Sequence, residues 1–161
     1  MTHTYAVVER VEADEDLDLV ADLEARCFTN PWTREMLGRH LAETDVAYVF
    51  ALRLPDRPVA AFCSCWIIAD ELHVNTIAVD DQYRRRGLAR HLMTAVMAEA
   101  ARRGARRATL EVRASNEPAL KLYENLGFSV AARRPQYYTQ PEEDALILWK
   151  EGLARLVRPE L

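Results

Sequence analysis

The sequence predicts a mixed sheet flanked by helices, an α+β or α/β sandwich in one domain, and three observations carry that fold class. Three β-compatible runs follow one another between Tyr48 and Val79 with only turn residues between them, which reads as antiparallel succession. From Val74 to Arg113 a strand, an arginine-rich turn, a helix and a second strand come in order. Such a crossover is right-handed and makes its two strands a parallel pair. The whole order, β-α-α-β-β-β-α-β-α-β-β, leaves mostly antiparallel pairing around that one parallel pair. The 161 residues suit one domain with a single sizeable core, from about residue 4 to residue 150, followed by a tail over 151–161.

Thr4 to Val11 has β-branched residues and enough alternation for a first strand. Asp14 to Arg26 reads as a helix, with acids in the first turn, where the macrodipole favours them, and Leu17, Val20, Ala21 and Leu23 on its apolar face. Pro31 interrupts Cys27 to Trp32, and Thr33 can cap a short helix through Leu41. Trp32 is open to two readings, a core ring or a substrate contact. Tyr48 to Leu54 and Val59 to Ile68 pair as a hairpin across Pro55-Asp56-Arg57-Pro58, and Ala69-Asp70 turns the chain into the strand Glu71 to Val79. Asp80 and Asp81 stop it.

Beyond Gly87, Leu88, Leu92, Val96 and Ala100 recur every fourth position, with Met93 and Met97 widening the stripe, until Gly104 ends the helix. In Ala108 to Arg113, Leu110 and Val112 point to one face and Thr109, Glu111 and Arg113 to the other. Asn116 caps a helix with Pro118 in its first turn, running to Asn125 and stopping at Gly127. Phe128 to Ala131 is a strand, Arg133 to Glu143 a long loop with Pro135 and Pro141, and Ala145 to Lys150 a last strand. The tail has weak helical spacing at Leu153, Leu156 and Val157 and carries no assigned role.

Composition narrows the function. Half of the residues are hydrophobic and 29% charged, too apolar for a disordered chain. The opening MTHTYAVVERVEADED has no cationic start followed by an apolar segment, and no run approaches a membrane span, so the expected location is the cytoplasm. Cys27, Cys63 and Cys65 are odd in number and form no C-x-x-C pair, and the four histidines show no ligand spacing; neither disulfides nor a metal site is expected. From Arg84 to Arg113 nine arginines face only Glu99 and Glu111, a net of +7 in a chain of total −4, so the remainder carries −11. That asymmetry suits an anionic cofactor and a cationic substrate, although scattered surface charge would also produce it. Aromatics are not interleaved with these arginines, which argues against nucleic acid.

The turn Arg84-Arg85-Arg86-Gly87-Leu88-Ala89 sets the unpaired N–H groups of a helix start beside three guanidinium groups, an arrangement that traps anions and suits a pyrophosphate. A solvated basic face is the plainer alternative. Neither G-x-G-x-x-G nor G-x-x-x-x-G-K-[ST] occurs. Glu111, in a central strand, needs either a partner or a wet cleft; a salt bridge with Arg113 or a neighbouring arginine is the alternative to a chemical role. Tyr123 lies two helical turns from Asn116, among Leu120, Leu122 and Leu126, and is open to reading as a buried ring.

R-x-x-G-x-A after a strand and opening a helix, here Arg84, Gly87 and Ala89, resembles the acetyl-CoA pyrophosphate loop of the GNAT acetyltransferases. IAVDDQYRRRGLARHLM, LEVRASNEPALKLYENLGF, RRPQYY followed by EDALIL, and Asn30-Pro31-Trp32 together resemble the RimI-type branch, which acetylates protein N-termini. The resemblance covers most of the chain between Phe28 and Trp149. It implies a GNAT domain whose central parallel pair splays into a V. Backbone groups of Ile77, Ala78 and Val79 would bond the pantetheine arm of acetyl-CoA, Val79 N–H would stabilise the oxyanion, and Arg84, Arg85, Arg86, Gly87, Leu88, Ala89 and Arg90 would hold the pyrophosphate. Asn116 and Tyr123 would also meet the cofactor. Glu111 would be the general base and Tyr123 the general acid, with coenzyme A as product. Arg84 stands where glutamine is frequent in the family, and Ala89 where a second glycine is.

The resemblance further implies an N-terminal alanine of a small-subunit ribosomal protein as acceptor. Other protein N-termini, lysine or a small amine are the alternative, and a non-catalytic module binding coenzyme A is a distant one. Trp32, Tyr137 and Tyr138, with the acids Glu142 to Asp144, would grip a basic peptide. The expected partner is thus a protein N-terminus, with no nucleic acid, membrane or metal, and the chain a monomer or weak dimer.

Overall fold

The computed structural model describes residues 5–43 and 45–156. In chain order it contains β1 (Val7–Arg10), α1 (Asp14–Cys27), α2 (Arg34–Ala42), β2 (Ala47–Leu54), β3 (Arg57–Ile68), β4 (Glu71–Val79), α3 (Leu88–Arg102), β5 (Arg107–Arg113), α4 (Glu117–Asn125), β6 (Ser129–Tyr138) and β7 (Glu143–Lys150), with 3-10 turns at Asp81–Tyr83 and Leu153–Leu156. The strands form a seven-stranded sheet in the order β1-β2-β3-β4-β5-β7-β6. The pairs β1–β2, β2–β3, β5–β7 and β6–β7 are antiparallel, and β4–β5 is parallel over Glu71↔Arg107 to Val74↔Leu110. Element order and the parallel pair agree with the fold class read from the sequence.

The described chain divides into two compact units. One holds the residues up to Trp66 together with Thr76–Val96, the other Ile67–Asn75 together with the residues from Met97 on. In the first unit, Leu17, Val20 and Leu23 of α1 and Leu37 of α2 pack with Val49, Ala51, Val59, Phe62 and Ala78. Each large aliphatic side chain so enclosed contributes roughly 1.5–3 kcal/mol. Thr33 caps α2 as its position suggested, its hydroxyl accepting from Met36 N–H at 3.2 Å. Cys63 and Cys65 are fully buried in β3 as small apolar groups. In the second unit Leu72, Val74, Met97, Ala100, Leu110, Val112, Phe128 and Leu148 are buried. The α3 stripe of Leu88, Leu92, Met93, Val96, Met97 and Ala100 is buried along its whole length.

Several boundaries move. The first strand is confined to Val7–Arg10, with Val11 still tied to the sheet through its N–H to Val49 O; Thr4 lies outside the described residues. Leu54 pairs with Arg57, so only Pro55 and Asp56 form the β2–β3 turn. The larger difference is the expected long loop over Arg133 to Glu143. There β6 continues to Tyr138, pairing Arg133↔Leu146, Arg134↔Ala145 and Tyr138↔Glu143, with irregular register between Val130 and Ala132 and between Arg134 and Tyr138. Two prolines read as loop, but β6 is the last strand of the sheet, where a missing N–H and a bulge are tolerated. Nearly all of its residues are exposed, so no apolar alternation marks it. In the tail Leu153–Leu156 form a 3-10 turn; Val157 lies outside the described residues.

Candidate active site

In the first unit the candidate site is the turn between β4 and α3. Asp80 ends the strand with a carboxylate that is wholly enclosed. It accepts from Arg57 Nη2 at 2.6 Å, from Arg26 Nη2 at 3.3 Å, and through Oδ1 from Gln82 N–H at 3.1 Å, which starts the 3-10 turn. Burial by itself would raise the pKa of Asp80. The bonds from Arg57, Gln82 and Arg26 overcome it and hold the group well below the usual carboxylate range. Tyr83, nearly buried, has Arg86 at 5.0 Å and Arg57 at 5.8 Å from its ring and donates to Asp56 at 3.3 Å.

The chain then enters the helix through two left-handed residues, Arg85 (φ 64°) and Gly87 (φ 74°). The first helical bond runs from His91 N–H to Gly87 O. A Cβ at Gly87 would meet nothing within 4 Å, so the position is constrained by its dihedral and the space before it is open. Leu88 is buried and anchors the helix start, Ala89 is half-buried, and Arg85, Arg86 and Arg90 are exposed. Arg84 turns back: its Nε donates to Val79 O at 3.2 Å and its Nη2 lies 3.8 Å from Cys27 Sγ. Ile77 and Val79 are half-buried and Ala78 buried, all past the last β4–β5 pair, Val74↔Leu110.

Trp32 is half-buried against the core of this unit. Its backbone N–H donates to Glu24 Oε1 at 3.0 Å, and its ring meets His40 edge-on at 5.5 Å. His40 in turn lies 5.3 Å from Trp66, with Nε2 bonded to Tyr48 O at 3.2 Å. Burial lowers the His40 pKa and raises that of Glu24, disfavouring the charged form of each.

In the second unit the structure brings together three side chains that the sequence singled out separately. Glu111 is exposed on β5 and accepts from Arg134 Nη1 at 3.4 Å. The hydrogen bond from Tyr137 to Glu111, then burial, push the Tyr137 phenol up. Burial foremost, then the charge of Glu111, push Tyr138 to about 12. The two tyrosine rings meet edge-on at 5.1 Å, Arg134 lies 5.2 Å from the Tyr137 ring and Arg113 4.5 Å from that of Tyr138. The bulge between Arg134 and Tyr138, with Gln136 at φ 55°, shapes this stretch of β6.

The acids beside it are already engaged. Asp144 accepts from Arg133 at 2.6 Å and from Gln136 N–H at 3.0 Å; Glu143 faces Arg113 at 3.5 Å and accepts from Ser115 N–H. Asn116 caps α4, its Oδ1 accepting from Ala119 N–H at 3.2 Å. Tyr123, on the same helix, is 4% exposed and packs edge-on to Phe128 at 5.7 Å.

Sequence reasoning missed Asp80 as an organising group, along with Arg26, Arg57, Glu24, His40 and Arg134. A usable signal existed for two of them. Asp80 directly follows an apolar strand with a backbone donor two residues on, and Glu24 continues the buried α1 spacing of Leu17 and Val20.

Residues 17–128 match the model of the acetyltransferase (GNAT) family. The ribosomal protein bS18-alanine N-acetyltransferase of Escherichia coli K12 is 36% identical over 135 residues, which cover 83% of this chain and 89% of that protein. The crystal structure of the ribosomal-protein-S18-alanine N-acetyltransferase from Escherichia coli superposes with a TM-score of 0.82 at 34% identity, covering 91% of this chain and 93% of that one. A GNAT family acetyltransferase from Elizabethkingia anophelis, solved with acetyl-CoA bound, shares the fold at a TM-score of 0.76 and 16% identity, covering 92% and 99%. This chain is therefore an acyltransferase belonging to the GNAT family of acetyltransferases.

Proposed function

We propose that the chain, working as one domain, transfers an acetyl group from acetyl-CoA to the α-amino group of a protein N-terminus, the N-terminal alanine of ribosomal protein bS18 being its principal acceptor. The observation that carries the reading is the β4–α3 turn. It joins two left-handed residues, exposed arginines and open space at Gly87 to the head of a long helix, and so fits a diphosphate. Acetyl-CoA supplies an activated thioester. The N–H groups of Gly87 to Arg90 and the guanidinium groups of Arg85 and Arg86 would bind its diphosphate, and backbone groups of Ile77 to Val79 its pantetheine arm. The relatives' acceptor supports the substrate assignment, and a ribosomal acceptor implies action in the cytoplasm.

Glu111 takes the proton that the acceptor ammonium must lose. An α-amino group titrates near 8 and lysine near 10.4, so at neutral pH an N-terminus offers roughly two to three orders of magnitude more free amine. A carboxylate base is matched to that easier deprotonation. Arg134 and Tyr137 orient Glu111. Tyr123, its ring held by Phe128, donates its hydroxyl proton to the departing thiolate. It is reprotonated by the second proton that the acylated nitrogen loses, so one proton in all is released through Glu111.

A second reading, acceptance of many N-termini, is favoured by one observation. Glu143 and Asp144 are bonded to the chain's own arginines and N–H groups and are not free to select a basic peptide. Incubation with acetyl-CoA and a panel of peptides, followed by mass spectrometry, decides between them. The principal reading expects acetylation of peptides with the bS18 N-terminus well above others. Equal rates across initiating residues favour the broad reading, and activity on free polyamines with none on an alanine-initiated peptide overturns both.

A further inference from the structure

Asp80 lies outside the chemistry described above, yet among the described residues of the first unit no other carboxylate is so enclosed and so fully bonded. Its side chain has no exposure, and its donors come from three places: Arg26 on the last turn of α1, Arg57 at the start of β3, and Gln82 N–H one step into the turn. We propose that Asp80 is the positioning residue of the cofactor turn, setting the backbone at the head of α3 for a diphosphate. This rests on the reading of that turn as the acetyl-CoA site.

The geometry runs outward from the carboxylate in two directions. Through its own backbone, Asp80 N–H is fixed to Ala60 O of β3 at 2.8 Å and Asp80 O accepts from Tyr83 N–H at 2.9 Å, so both ends of the residue are tied before the turn begins. Through Arg57 the cluster reaches the ring of Tyr83, whose other close cation is Arg86 of the turn itself. One residue before Asp80, Val79 O is held by Arg84 of the same turn. A diphosphate bound by backbone N–H groups needs those groups aimed correctly before it arrives, and a displacement of about 1 Å in such an arrangement costs up to about a hundredfold.

A carboxylate so near an anion site also carries a cost, since its charge opposes the ligand. Pairing with two guanidinium groups cancels that field, so positioning and charge lead to opposite expectations for its removal. If Asp80 only consumed positive charge, replacing it would release Arg57, leave Arg26 with Asp22 and Asp81, and strengthen anion binding. If it positions the turn, replacing it weakens binding of a donor that carries the diphosphate more than binding of one that lacks it.

The test compares two acetyl donors, acetyl-CoA and S-acetylpantetheine, which lacks the diphosphate. The full-length wild-type chain, Asp80→Asn and Arg57→Gln are assayed with one alanine-initiated peptide. Asp80→Asn should reduce the preference in kcat/KM for acetyl-CoA over S-acetylpantetheine about tenfold, with the loss in KM for acetyl-CoA. Arg57→Gln, which changes a side chain 35% exposed and leaves Arg26 on Asp80, should shift it in the same direction by less, and carries the test if Asp80→Asn does not fold. A merely structural role lowers both donors alike and leaves the preference unchanged. An unchanged or increased preference in the folded variants overturns the inference while leaving the proposed function standing. A wild-type chain that neither binds coenzyme A nor uses either donor overturns both.

Discussion

Around the β4–α3 turn of the first unit the contacts converge on one enclosed carboxylate, although its arginine partners reach solvent. Asp80 is wholly enclosed, and the glycine beside the open helix head is required by its dihedral. Around Glu111 in the second unit the contacts lie at the surface. The Glu111 side chain is 35% exposed and its partner Arg134 55%, on a strand whose residues are nearly all in water. Breaking a buried ion pair leaves an uncompensated charge, whereas an exposed pair is worth little. The difference separates two tasks. On the proposed function, the cofactor would be met by backbone held from beneath, and the acceptor by side chains that can change without disturbing the core.

That contrast can be broken most forcefully at Asp80. Asp80→Ala should cost about 3 kcal/mol in stability by chemical denaturation, toward the low end for a broken buried pair because Arg26 and Arg57 themselves reach solvent. Because the folded pKa of Asp80 lies below the unfolded one, its contribution is present above the ordinary carboxylate range near 4 and is lost as pH falls. The variant should therefore show a flatter loss of stability below about pH 4 than wild type. A loss under 1 kcal/mol would place the turn's rigidity elsewhere.

Next come the two groups given chemical roles. Glu111→Gln should reduce kcat by about a hundredfold and Tyr123→Phe by about tenfold, both with coenzyme A affinity retained, as steady-state kinetics and calorimetry would read. Unchanged rates would return Glu111 to a surface pair with Arg134 and Tyr123 to a core ring beside Phe128. The smallest effect is expected at the rim. Arg134→Ala should leave the melting midpoint near wild type and raise KM for the peptide by a factor of about 3. At alkaline pH the sign reverses relative to Asp80. The Tyr138 phenol, raised to about 12, favours the fold fully below about pH 10, and that contribution is lost as pH climbs to 12, so Tyr138→Phe should blunt the decline over this window.

Legibility followed the same division. The α3 stripe from Leu88 to Ala100 could be read because burial repeats at the helical period, and the Thr33 and Asn116 caps because capping is local. The extension of β6 could not, since an exposed edge strand carries no alternation and Pro135 reads as a break. Glu111, Tyr137 and Tyr138 were each visible by type, but their meeting depends on a pairing across β7 and on a bulge. From the sequence Asp80 shows only as a strand stop, because its arginine partners stand 23 and 54 residues away. Such contacts exist only once the chain has folded.

The most direct measurement is calorimetric titration of coenzyme A into the wild-type chain and into Gly87→Ala, which sets a Cβ into the open space at the helix head and strains a φ of 74°. The account predicts a saturable one-site heat for wild type and a loss of at least about tenfold in affinity for a variant that still melts cooperatively. No heat with wild type, or the same affinity in both, would contradict it.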